Sequence, residues 1–271
     1  MGRPTKAPRN SRRAAAFRPL ARIMGLCAGL AVFGCTAASE QPASEPPAPI
    51  RARAPGRPQR AQAAQPPRAT LPRSRVDLVL LGTTDVHNRL YPYDYYTHSE
   101  VGYGLARLKP IIDSVRAANR GRTYLFDSGD LLQGNPLGFV YARVYGRKPN
   151  PVVRAMNLLR YDAAAIGNHE YNYGIPHLTT AVAQAKFPFL SGNTFKHGTR
   201  EHAFKPYALI PHVAPGGDTI LIGVTGNTPP GVHVWDQATV TGKLEFREVV
   251  TSLKPIVREL RERGADLVVV L

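Results

Sequence analysis

The sequence has little cysteine: two in 271 residues, Cys27 and Cys35, both inside one short apolar stretch. Positions 36–271 have none, which excludes a disulfide framework or a thiolate metal cluster there. No apolar run is long enough for a transmembrane helix. Acid is scarce near the start. Residues 1–75 hold 14 basic and two acidic residues, and residues 76–271 hold 21 and 17, so an overall net charge of +16 falls to +4 over the longer part. The basic excess belongs to the N-terminal tail, which speaks against a basic domain reading a nucleic-acid duplex.

What is present begins with a leader. Seven basic residues and no acid occupy positions 1–22, followed by the apolar segment Ile23–Gly34 and then Cys35. A charged start, a short apolar core and a small residue at its end describe an export signal. Val32-Phe-Gly-Cys35 resembles a bacterial lipoprotein box, although Phe33 is bulky for its position. Lipidation of Cys35 would anchor the chain to a membrane. Residues 1–35 are therefore expected to be a signal peptide, and the protein to be exported, either periplasmic or a membrane-anchored lipoprotein. Residues 36–75 contain 10 Ala, 9 Pro and 7 Arg. Proline removes backbone donors and little apolar surface is on offer, so this segment is expected to be a disordered linker.

From residue 76 onward strands alternate with helices, the pattern of an α/β layered fold. Strands are predicted at 76–81, 123–126, 163–166, 187–190, 205–211, 219–225 and 266–271. The pair 205–211 and 219–225 reads as a hairpin across 214–218. Helices are predicted at 104–120, 151–159, 175–186 and 247–263. In the first, apolar residues recur at Leu105, Leu108, Ile111, Ile112 and Val115 with helical spacing.

Three of these strands run into compact polar signatures: Thr83-Thr-Asp85-Val-His87-Asn88, Asp127-Ser-Gly-Asp130-Leu-Leu-Gln-Gly134 and Gly167-Asn168-His169-Glu170. Ligand sites in α/β sheets form beyond the carboxyl ends of strands. The residue types suit a two-cation site. Asp85 and His87 can share one cation, Asp130 can bridge two, and Asn168 offers an amide oxygen to the second. Two cations about 3.5–4 Å apart can hold a hydroxide and clamp a phosphate. His169 is then placed to donate to the phosphate or the leaving group. Gly129, Gly134 and Gly167 allow tight backbone turns. Asp-x-His alone is usually a surface turn; the three signatures in this order and strand context make the case. The other histidines, at 98, 177, 197, 202, 212 and 233, read as surface residues, and Trp235 as a packing residue.

These motifs resemble the calcineurin-like metallophosphoesterases, within them the 5′-nucleotidase superfamily. Tyr93-Asp-Tyr-Tyr96, Gly129-Asp-Leu-Leu-Gln-Gly-Asn-Pro136, Gly167-Asn-His-Glu-Tyr-Asn-Tyr-Gly174, Phe187-Pro-Phe-Leu-Ser-Gly-Asn193 and Gly264–Leu271 look like the bifunctional 2′,3′-cyclic-nucleotide 2′-phosphodiesterase/3′-nucleotidase branch. The resemblance covers residues 76–271. It implies an α-β-β-α sandwich, here the N-terminal part of a metallophosphoesterase domain and incomplete at its C-terminal end. It implies two divalent ions (Mn, Zn, Fe, Co or Mg) held by Asp85, His87, Asp130 and Asn168, with Asn168 and His169 contacting substrate and His169 catalytic. The implied reaction is attack of metal-bound hydroxide on a nucleotide phosphodiester or monoester by a monomeric enzyme. The implied partner is a nucleotide, with no nucleic-acid duplex, and with a membrane only through the lipid anchor. The alternatives are a 5′-nucleotidase or UDP-sugar hydrolase activity, or an inactive remnant lacking later histidine ligands.

The sequence departs from the pattern at two positions. Residue 88 is Asn where the wider family has Gly. Residue 172 is Asn where the 5′-nucleotidase branch has an Asp paired with the catalytic histidine, which favours the cyclic-nucleotide branch and argues against a histidine–carboxylate pair formed with position 172.

Overall fold

A computed structural model describes residues 75–146 and 148–271. The expected export signal, Cys35 and the expected linker as far as residue 74 lie outside the described residues. In chain order the strands are β1 (Val79–Thr83), β2 (Tyr93–Asp94), β3 (Ser99–Glu100), β4 (Thr123–Asp127), β5 (Ala163–Ala165), β6 (Phe189–Leu190), β7 (Thr194–Lys196), β8 (Tyr207–Val213), β9 (Thr219–Thr225), β10 (Leu244–Phe246) and β11 (Ala265–Val270). The α-helices are α1 (Leu105–Ala118), α2 (Pro136–Phe139), α3 (Pro151–Leu159), α4 (Ile175–Gln184), α5 (Val232–Trp235), α6 (Gln237–Val240) and α7 (Val249–Glu262), and a wide π-type turn follows α2 at Val140–Val144.

Two sheets stack between two helical layers. The first is parallel, in the order β1-β4-β5-β6. The second has the order β11-β9-β8, with β9 parallel to β11 and antiparallel to β8. The period-two alternation of strand side chains sorts the core into layers. Leu125, Ala164 and Phe189 face α1, α3 and α4, together with Ile112, Met156 and Leu178. Tyr124, Phe126, Ala163 and Leu190 face the second sheet, where they meet Ala208, Ile222 and Val224. The far side of that sheet carries Leu209 and Val268 under Ile256 and Leu260 of α7. This is the expected α-β-β-α sandwich.

Local chemistry sets the element ends. Asn150 caps α3, its side chain accepting from Val152 N at 3.1 Å and Val153 N at 3.3 Å, and Pro151 opens the helix. Glu248 caps α7 in the same way through Val250 N and Thr251 N. The predicted hairpin is present, closed by Ala214 N donating to Asp218 O at 2.8 Å.

Some expectations shift. The first strand begins at Val79 rather than Val76, because its parallel register runs Val79–Thr83 against Thr123–Asp127. It lies at an edge of its sheet and its burial alternates, leaving Leu80 43% exposed, so it is not a fully buried strand. Ile111 is 60% exposed, because α1 packs through Leu105 and Ile112. His212 is not a surface residue: it is 4% exposed and hydrogen-bonded to Tyr124 Oη at 2.9 Å. Trp235 is 63% exposed, its ring lying over Gly231. No described helix is long and apolar enough to cross a membrane.

Candidate metal centre

The three polar signatures meet beyond the carboxyl ends of β1, β4 and β5. Past the last ladder pair, Thr83 with Asp127, the backbones of the first two loops keep pairing. Ser128 N donates to Thr83 O, Asp85 N to Gly129 O, His87 N to Asp130 O and Asn88 N to Leu131 O, all at 2.8–3.1 Å. The ladder holds Asp85, His87, Asn88 and Asp130 in the left-handed backbone region, with φ of 52°, 47°, 58° and 62°. Asp, Asn and His tolerate that region better than most residues, and held there by surrounding structure it is a mark of functional sites. Asn88 also explains its departure from glycine: its buried amide Nδ2 donates to Leu132 O at 3.0 Å and ties the first loop to the second.

Asp127 and Glu170 brace these loops from below. Asp127 is fully buried and accepts from Thr83 Oγ1 at 2.5 Å and Gly129 N at 2.8 Å; burial pushes its carboxyl up to about 7. Glu170, also fully buried, accepts from Asp130 N at 3.0 Å, Leu131 N at 2.5 Å and Leu132 N at 3.2 Å. Burial raises its carboxyl above the usual range against the pull of those N–H groups. The glycines serve close approach as well as turning. A side chain on Gly134 would collide with the His87 imidazole, and one on Gly167 with Asp130.

On this frame stand His87, Asp130 and His169, each offering one donor atom, with all three atoms within 4.8 Å of one another. His87 Nδ1 donates to Gln133 O at 2.8 Å, and His169 Nδ1 lies 2.7 Å from Asn172 Oδ1, so each ring keeps Nε2 for a ligand. Histidines that bind metal are held in this way. Asp130 Oδ1 accepts from His169 N at 2.9 Å, which orients the carboxylate. Asp85 stands beside the cluster, Oδ1 3.6 Å from His87 Nε2, and is exposed. Asn168 is half-buried on the turn between Gly167 and His169. Two imidazoles and a carboxylate suit Zn, Fe, Mn or Co better than a thiolate-seeking ion, so the donor set fits a divalent cation.

A cleft of about 670 Å³ reaches Asp85, lined by Thr84, Val86, Arg89, Tyr103 and Ile111, without including the three clustered donors. Sequence reasoning gave no role to Glu170, although it sits inside the third signature. It also gave none to Asp236, 64 positions beyond Asn172, whose carboxylate receives the Asn172 amide at 3.0 Å.

A donor cluster at the strand ends of an α-β-β-α sandwich defines the metallophosphoesterase class of fold and site. No family-level profile matches the chain. Individual relatives do. The 2′,3′-cyclic-nucleotide 2′-phosphodiesterase/3′-nucleotidase of Haemophilus influenzae is 39% identical over 206 residues, 73% of this chain and 31% of that protein. The protein of the same name from Salmonella typhimurium is 36% identical over 211 residues, 75% of this chain and 32% of that one. Among solved structures, the calcineurin-like phosphoesterase YfkN from Bacillus subtilis superposes with a TM-score of 0.66 at 32% identity, covering 71% of this chain and 60% of that one. Over about three quarters of its length the chain is similar to these phosphoesterases. It spans about a third of the length of the two curated relatives.

Proposed function

We propose that this chain takes part in metal-dependent hydrolysis of nucleotide phosphoesters, with 2′,3′-cyclic nucleotides and 3′-nucleotides as substrates. The observation that carries the reading is the convergence of His87, Asp130 and His169 at the ends of three parallel-sheet segments. The identity to proteins named for that activity supports the substrate class. In this reading Asp85, His87, Asp130 and Asn168 hold two divalent cations. Bound cations supply Lewis-acid polarisation of the phosphoryl group and offset the charge that develops on it.

The chain's own residues do the rest. Asp130, oriented by His169 N and braced through its backbone by Glu170, sits between the other two signatures. His169 presents Nε2 for contact with the phosphate or the leaving oxygen, and Asn168 presents an amide to a phosphoryl oxygen. We further propose that residues 1–35 direct export and that Cys35 carries a lipid. The composition of residues 1–35 supports that reading.

The test is hydrolysis of bis(p-nitrophenyl) phosphate by the chain with added Mn²⁺. Asp130→Ala is expected to abolish it, and a variant as active as the parent sinks the assignment. A profile favouring 5′-nucleotides over cyclic and 3′-nucleotides moves the chain to the 5′-nucleotidase branch.

A further inference from the structure

We propose that Asp236 is a positioning residue for His169, acting through the Asn172 amide to fix which ring nitrogen carries the hydrogen. Its purpose rests on the phosphoesterase reading; its test does not. Asp236 lies between α5 and α6, held by the buried anchors Val232 and Val240, and its carbonyl accepts from Thr239 N and Val240 N at 2.8 and 3.1 Å. Both its carboxylate oxygens stand 3.0 Å from Asn172 Nδ2.

An ionised carboxylate only accepts, so the Asn172 amide must turn its NH₂ toward Asp236. That leaves Asn172 Oδ1 facing His169 Nδ1 at 2.7 Å. An amide oxygen also only accepts, so Nδ1 carries the hydrogen of the neutral ring and Nε2 keeps the lone pair, the position that must take up a proton before His169 can donate to a phosphate or leaving oxygen. Asn172 alone does not make this choice. Its amide is nearly symmetric in shape, and the flipped form would offer NH₂ to Nδ1 and drive the hydrogen to Nε2. The carboxylate behind it decides. His87 reaches the same tautomer by a simpler route, through the Gln133 carbonyl. The Asp236 carboxylate thus acts on His169 through one intervening amide.

The experiment is a long-range ¹H–¹⁵N spectrum of the histidine-labelled full chain, stripped of metal by a chelator and held at a pH where the rings are neutral. His169 is expected in the Nδ1–H form, matching His87; an Nε2–H form in the parent protein overturns the proposal outright. In Asp236→Leu the His169 signal is expected to move toward Nε2–H while His87 stays, reporting an intact fold. A folded Asp236→Leu whose His169 stays Nδ1–H also overturns it.

Should that variant not fold, the exchanged pair Asn172→Asp/Asp236→Asn keeps size and total charge and puts the carboxylate directly on Nδ1. It is expected to keep Nδ1–H, and Nε2–H there counts against the proposal. Where the chain hydrolyses bis(p-nitrophenyl) phosphate, Asp236→Leu lowers kcat about 10–100-fold, the usual effect of removing such an outer partner, with KM little changed and recovery in the exchanged pair. Absence of that hydrolysis in the parent speaks against the phosphoesterase reading alone and leaves the tautomer result standing.

Discussion

Glu170 holds Asp130 by its backbone: Oε2 accepts from Asp130 N at 3.0 Å while Oε1 takes Leu131 N and Leu132 N. Three consecutive N–H groups converge on one buried carboxylate, so the loop carrying Asp130 is wrapped around an anion. Glu170→Gln replaces one acceptor oxygen with an NH₂ that faces N–H groups. Each orphaned donor costs about 1–3 kcal/mol. A lower melting temperature is expected, with Mn²⁺-dependent hydrolysis falling further than the loss of fold explains. A variant that melts and turns over like the parent removes Glu170 from this role.

Gly167 tests the same loop from the other side. A Cβ there would strike the Asp130 carboxylate and lie 2.6 Å from Asp130 N and 2.9 Å from Glu170 Oε2. None of these atoms can retreat without moving the metal-facing loop. Overpacking of this kind costs about 1–3 kcal/mol, and Gly167→Ala is expected to lose metal response as well. Gly82, on the exposed edge strand β1, has nothing within 4 Å of such a Cβ. Gly82→Ala is the control and should change neither melting nor metal response.

Asp127 gives a dependence on pH. Its folded-state carboxyl lies at about 7 against an ordinary value of 3.8, because burial outweighs its hydrogen bonds from Thr83 and Gly129. Above about pH 4 the unfolded chain has lost this proton while the folded chain still holds it. The contribution is therefore full below the ordinary value and is lost as pH climbs through the window up to about 7. The slope is about 1.4 kcal/mol per pH unit. Urea midpoints of chelator-treated protein at pH 5 and pH 7 measure it. Asp127→Asn, which keeps the shape without the titration, should flatten the difference; an unchanged difference assigns it to other groups.

Much of this architecture was legible because it is written in local patterns. Strand-ending apolar runs followed by Asp-x-His, Gly-Asp and Gly-Asn-His placed Asp85, His87, Asp130, Asn168 and His169 at one sheet edge, and helices such as Pro151–Leu159 carry their own caps and periodicity. What was not legible depends on partners far along the chain. Strand β1 reads as buried by composition, yet its sheet position leaves Leu80 in solvent. His212 is apolar-flanked and looks like an edge residue, but the facing sheet supplies Tyr124 Oη. Asp236 sits in a stretch with no periodicity, and only the folded chain brings it to Asn172. Glu170 was visible beside His169, but its inward direction follows from the turn at Gly167, which no spacing rule encodes.

The donor cluster itself makes a binding prediction that needs no substrate. His87, Asp130 and His169 bring their donor atoms within 4.8 Å, with both imidazoles held by Nδ1 contacts. A cation held through His87 and Asp130 of this folded cluster, and not by the unfolded chain, stabilises by about 2.7 kcal/mol at a hundredfold excess over its Kd. Titrating Mn²⁺ or Zn²⁺ into chelator-treated protein should therefore raise the melting temperature in a saturable way. His87→Ala removes one donor and leaves the loop ladder, which runs through the His87 backbone to Asp130 O. It should melt somewhat below the metal-free parent, having lost the Nδ1 hydrogen bond to Gln133 O at a left-handed backbone position, and respond weakly to metal. A shift in His87→Ala equal to the parent's would place the bound ion elsewhere on the chain.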